Sequence, residues 1–116
     1  MAKTVMAVFS NPSSAERDDE YNAWYNDVHL KELMEIPGIV GATRYRATAA
    51  PDPDPNAGPT TVEHRYVALY EVEGDPTAIF GELAERAGSM SMSPALDAAG
   101  SRVVFWEAVE GGSAPQ

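Results

Sequence analysis

The chain has 116 residues, enough for one compact domain with one core. It carries 18 acidic against 8 basic residues, a formal net charge of −10. That charge repels phosphate backbones, and no Lys/Arg cluster overrides it, so nucleic acid and anionic membrane surfaces are excluded as expected partners. Cysteine is absent, which rules out disulfides, thiolate nucleophiles and Cys-ligated metal or iron–sulfur centres.

Residues 4–10, TVMAVFS, are β-branched and aromatic and end at Asn11-Pro12, so they predict a first strand. The same stretch is too short for a secretory signal, and nothing reaches membrane-spanning length. A soluble, cytoplasmic protein is the expectation. Ser13 and Glu16 have the spacing of a capping box, with Asp18, Asp19 and Glu20 in the turns that follow. They predict a helix from about Ala15 to Glu35, stopped by Pro37-Gly38. Residues 39–49 suit a second strand, and the proline-rich 51–61 an extended loop. Residues 62–73, VEHRYVALYEVE, read as the clearest strand.

A second helix is predicted over 74–88, with Asp75 as N-cap, Pro76 at the first helical position and Gly88 as stop. Residues 89–94, SMSMSP, read as a loop whose Met90 and Met92 suit a flexible flap over a cavity mouth. Residues 95–100 suggest one further turn, 101–109 a last strand, and 111–116 a flexible tail after a single domain over 1–110. The order β-α-β-β-α-β is the ferredoxin-like split arrangement, an α+β fold with four antiparallel strands and two helices on one face. Phe105 and Trp106 point to opposite sides of that sheet, so an apolar face is left over. Pairing two such faces predicts a homodimer.

The inner face of the first helix is unusual. At about 100° per residue, Tyr21, Tyr25, His29 and Glu32 share the side that also carries Trp24, Val28, Leu33 and Ile36. Buried polar groups must be paired, so four on one stripe suggest a polar cavity between helix and sheet. His29 suits proton transfer near neutrality, with Tyr25 at i−4 and Glu32 at i+3 within reach. Glu32 would orient the imidazole and Tyr25 would donate to a carbonyl or enolate oxygen. Tyr21 and Trp24 offer flat walls, while Arg44, Tyr45 and Tyr66 are candidate substrate-binding groups on the strands. His64, beside Glu63 and Arg65, reads as packing. A metal at His29 and Glu32 lacks further ligands, and a haem on His29 is a minor alternative to a site free of cofactors.

The segment EYNAWYNDVHLKELMEIPGIVGATRYR, preceded by Asn11-Pro12 and followed by YVALYEVEGDP, resembles the EthD-like group of the dimeric α/β-barrel superfamily. The resemblance covers most of residues 4–109. It implies a ferredoxin-like subunit whose sheet pairs with that of a second copy. It maps the group's recurrent helix histidine to His29 and its neighbouring aromatics to Trp24 and Tyr25. The superfamily holds cyclases, isomerases, monooxygenases and haem enzymes, so the fold alone selects no reaction. The expectation is a cofactor-independent acid–base enzyme acting on a small aromatic or polyketide-like molecule by cyclisation, isomerisation or elimination. A monooxygenase of the same superfamily and a non-catalytic ligand-binding or structural dimer are the alternatives.

Overall fold

The structure is a computed structural model and describes residues 3–48, 56 and 62–114. The loop expected over 51–61 therefore lies outside the described residues, Asn56 excepted. Four strands form one antiparallel sheet: β1 (Thr4–Ser10), β2 (Ile39–Arg46), β3 (Tyr66–Val72) and β4 (Arg102–Glu107), in the order β2-β3-β1-β4. The first helix lies between β1 and β2, and α3 (Pro76–Arg86) lies between β3 and β4. This is the α+β, ferredoxin-like arrangement expected. No helix among the described residues is long and apolar enough to cross a membrane.

Register assigns the two faces. Met6 pairs with Tyr70 and Phe105, and Val8 with Ala68 and Val103, so these residues share one side with Arg44, which pairs with Ala68. Helices cover that side, where Met6, Tyr70, Ala68 and Tyr66 join Tyr21, Tyr25, Leu33, Ile36 and Ile79 in the core. Val5, Ala7, Phe9, Val67, Leu69, Tyr45, Val104 and Trp106 occupy the other side by alternation.

The first helix departs from the regular one expected. It opens with a 3-10 turn at Ala15–Arg17, continues as α1 (Asp18–Trp24), widens into a π turn over Tyr25–His29, and closes as α2 (Leu30–Met34). The buried residues Tyr21, Tyr25, His29 and Leu33 recur every four positions. In an α-helix each such step drifts by about 40° around the axis. The π turn rotates less per residue, which pulls the stripe back onto the sheet. The capping box does not form: the N-cap is Ser14, without a side-chain bond, and the Ser13 N–H that Glu16 would have accepted from already donates to the Ala95 carbonyl at 2.6 Å.

Other boundaries move for local reasons. The third strand begins only at Tyr66, because the Asn11 side chain captures the backbone before it, donating to the Glu63 carbonyl (3.0 Å) and accepting from the Arg65 N–H (2.7 Å). Residues 95–97 run beside 11–13 instead of forming a turn of helix, with the Asp97 N–H donating to the Asn11 carbonyl at 3.0 Å. Asp75 caps α3 as expected, accepting from the Thr77 N–H at 3.0 Å. Gly88 is not a left-handed stop; it sits in a 3-10 turn, Ala87–Ser89, that Ser89 Oγ closes on the Arg86 carbonyl. Gly38 does stop the first helix, at φ 101°, and a Cβ there would lie 2.8 Å from the Glu73 carbonyl oxygen.

Candidate functional site

His29 is placed by the π turn, whose C-terminal residue it is, and its side chain is 11% exposed. Three neighbours fix its ring. Trp24 stacks on it, with centroids 4.7 Å apart and planes 21° from parallel. Tyr25 meets it edge-on at 5.0 Å and 87°. Glu32 Oε1 lies 3.5 Å from Nδ1, which favours the tautomer with the proton on Nδ1 and leaves Nε2 as the basic nitrogen. Burial pushes the imidazole below its ordinary value, and the Glu32 carboxylate opposes that shift only in part. The ring is therefore neutral at pH 7.

Glu32 also reaches the 89–94 loop. Its Oε2 accepts from the Ser91 N–H at 2.7 Å, while Trp24 Nε1 donates to the Ser91 carbonyl at 2.6 Å. One peptide segment is thus held on both sides by the two residues that also hold His29. Met90 and Met92, on either side of Ser91, line the same cavity as His29. The flap expected from the sequence is tied down by its backbone, a partnership that carries no sequence signal.

A cavity of about 350 Å³ lies between the first helix, α3 and the sheet, lined by Met6, Leu33, Leu83, Phe80, Met90 and Met92, with His29 in its wall. A smaller lobe of about 170 Å³ shares Val8, His29 and Met92 with it and adds Tyr25, Ser10 and Ser101. Tyr25 is deeply buried, and its hydroxyl lies 3.3 Å from that of Tyr70. Desolvation pushes Tyr25 up to about 12 and raises Tyr70 as well, so both stay protonated donors.

The remaining candidates gather behind this cavity. The Arg44 guanidinium lies 4.3 Å from the Tyr25 ring centroid and 5.3 Å from those of Tyr21 and Tyr66. Its Nη1 donates to Asn26 Oδ1 at 2.7 Å, and its buried Nε and Nη2 have no hydrogen-bond acceptor among the described residues. The tyrosine faces take that place, as a cation–π cage. Tyr21 is fully buried, bonded to Ser10 Oγ at 2.6 Å, and Tyr66 donates to Asp18 Oδ1 at 2.6 Å. None of these three lines either lobe. Tyr45 lies on the opposite face of the sheet and is 53% exposed. Of the residues expected at the site, the fold brings together His29, Trp24, Tyr25 and Glu32, and it adds Ser91, Phe80, Leu83 and Tyr70, whose place there has no signature in the sequence. His64 is held as packing, its Nε2 2.7 Å from the Gly100 carbonyl. Among the described residues no group of three or more His, Asp or Glu could hold a metal ion.

No family model matches the chain, and no curated protein matches it in sequence. Solved structures do. HapK from Hahella chejuensis superposes with a TM-score of 0.51 at 16% identity, over 97% of this chain and 99% of that one. An ethyl tert-butyl ether d (EthD) family protein from Bacillus halodurans aligns over 91% of this chain and 97% of its own, at 12% identity and a TM-score of 0.41. The likeness to HapK is one of fold, and it is the fold that the EthD-like resemblance led one to expect.

Proposed function

We propose that the chain is a cofactor-free acid–base enzyme that abstracts a proton next to a carbonyl in a small ring compound. The observation that carries this reading is His29: a neutral imidazole, held at Nδ1 by Glu32, in the wall of an otherwise apolar cavity. Nε2 would take the proton from carbon. Glu32 would stabilise the imidazolium that forms, and the stacked Trp24 face would add to this. Tyr25, kept protonated by burial, is the donor for the developing enolate oxygen. Cyclisation, isomerisation and elimination all begin with this step.

The reading includes a homodimer formed through the outer face of the sheet. Trp106 is 56% exposed there, beside Val104, Leu69, Val67 and Phe9. Among the strand residues on that side the charged ones are Glu71 and Arg102, which sum to zero in a chain of net charge −10. A neutral, apolar face of this kind suits burial against its own copy.

Deuterium exchange at the α-carbon of 2-tetralone in D2O, followed by NMR, tests the chemistry without knowledge of the native substrate. Wild-type protein should accelerate the exchange, and His29→Gln should lose roughly 100-fold or more of the acceleration. If the protein does no better than free imidazole across a panel of aryl ketones, the acid–base reading falls. A purely ligand-binding dimer would then replace it, unless oxygen uptake with an activated quinol marks a monooxygenase.

A further inference from the structure

We infer that the cavity takes an uncharged, largely apolar compound of two or three fused rings, with one hydrogen-bonding oxygen against Tyr25 beside His29, and excludes carboxylates and polyhydroxylated relatives of the same ring. This rests on reading the cavity as the substrate site and narrows what that site takes. Size sets the ring count: about 350 Å³ is a little over twice the roughly 150 Å³ that holds one benzene.

Lining sets the polarity. Around the main lobe, among the described residues, His29 is the one polar side chain; the rest offer carbon and the sulfurs of Met6, Met90 and Met92. Of the hydroxyls in the smaller lobe, Ser10 is engaged with Tyr21 (2.6 Å) and Ser101 with the Asp97 carbonyl (2.9 Å), while Tyr25 accepts from Tyr70 (3.3 Å) and keeps its one O–H for a single ligand oxygen. A second ligand oxygen would be buried without a partner, at a cost of about ten-fold in affinity or more. A polyketide with an oxygen on every other carbon does not suit such walls.

Charge completes the selection. No Lys or Arg is among the described residues lining either lobe. Arg44 is turned against the far side of Tyr25 and bonded to Asn26. The charge beside the imidazole is the Glu32 carboxylate. An anion entering here meets a like charge and no cation. The mouth agrees with this: Phe80, Met92 and Val103 are 55%, 51% and 42% exposed, an apolar rim that a ring compound crosses without stripping a charge of water.

Isothermal titration calorimetry of the full chain with three probes on one skeleton tests the inference. The probes are 2-tetralone, 1,2,3,4-tetrahydronaphthalene-2-carboxylate, and a 2-tetralone carrying two further ring hydroxyls. The ketone should bind tightest and shift the His29 imidazole resonances. The carboxylate should bind about 100-fold more weakly, and the dihydroxy ketone about ten-fold more weakly. Met92→Lys supplies the missing cation at an exposed position and should narrow the gap between ketone and carboxylate about ten-fold. Equal or tighter binding of the carboxylate or the dihydroxy ketone overturns the inference. So does a ketone that fails to bind or binds without moving His29, or a gap that Met92→Lys leaves unchanged. The two readings fail separately. If the binding order holds but no deuterium exchange is catalysed, the ligand class stands and the proton-abstraction step is wrong. If exchange is catalysed while the carboxylate binds as well as the ketone, the ligand class is wrong and the base stands.

Discussion

A histidine whose charged form is disfavoured inside the fold makes stability depend on pH in one direction. His29 has its folded value pushed below the ordinary one near 6.5. The unfolded chain then binds more protons than the folded one in the interval between the two values. Stability is fully present above about pH 6.5 and falls as the pH drops towards the depressed value. Urea midpoints measured at about pH 7 and about pH 5 should fall more for the wild type than for His29→Gln, which has no proton to take up at this site. An equal fall in both proteins would show that the imidazole is no harder to charge inside the fold than outside. Glu32→Gln should lower the His29 value further, because the carboxylate opposes the desolvation; an NMR titration reads this directly. Arg44→Lys keeps the charge but loses the flat guanidinium that lies against three tyrosine rings, at an expected cost of about 1–2 kcal/mol. At this scale the pairing of His29 with Glu32 was legible, because i and i+3 meet on any helix. The partnership of Glu32 with Ser91 was not, since a backbone N–H from a distant loop carries no signature in its side chain. Arg44 was legible only as a charge: alternation put it on one of two faces, and three tyrosines from two elements decided its surroundings.

The first helix shows how a pattern can be visible and still be read wrongly. The positions 21, 25, 29 and 33 hold a strict four-residue repeat, whereas a regular helix spreads its buried face over threes and fours. That excess of fours was the available clue to a π turn. Deleting Asp27, an exposed residue of the turn, removes the one residue by which the π turn exceeds an α-helical path, and should give regular α-helical bonding with both halves of the stripe still on the sheet. The expected loss in urea denaturation is therefore below about 1 kcal/mol; a loss of about 3 kcal/mol or more, the mark of Tyr21 and Tyr25 or His29 and Leu33 leaving the core, would count against this account of the turn. At the far end, Gly38→Ala combines a left-handed backbone with a Cβ 2.8 Å from the Glu73 oxygen, and should cost about 2 kcal/mol or more. The loop over the cavity has its own test. Ser91→Pro removes the N–H that Glu32 accepts, and amide hydrogen exchange at Met90 and Met92 should rise while α3 keeps its protection. The second helix was legible almost to the residue because Asp75 and Pro76 act through local geometry. The capping box failed because a remote carbonyl, that of Ala95, had taken the donor it needed.

At the scale of the molecule, the β-α-β-β-α-β element order was legible, while the strand order and the side the helices cover came from the structure, because alternation divides a strand into two faces without saying which one meets the helices. Phe105 packs against the core while Trp106 stands out on the other side, as two neighbours in a strand must. Trp106→Glu puts a charge in the middle of the proposed contact. Sedimentation should find a dimer for the wild type and a monomer for the variant, and a wild-type monomer at micromolar concentration would remove the paired-sheet reading. The outer face has a further consequence through the ions in the buffer. It holds one Glu and one Arg among its strand residues, while the whole chain carries −10. Two such chains brought together repel through their flanks, across distances comparable to the Debye length of about 10 Å at 0.1 M salt. The contact itself has little charge to screen. Added salt should therefore tighten the association rather than loosen it, the reverse of an assembly held by ion pairs, and dilute buffer is where the single chain should be found.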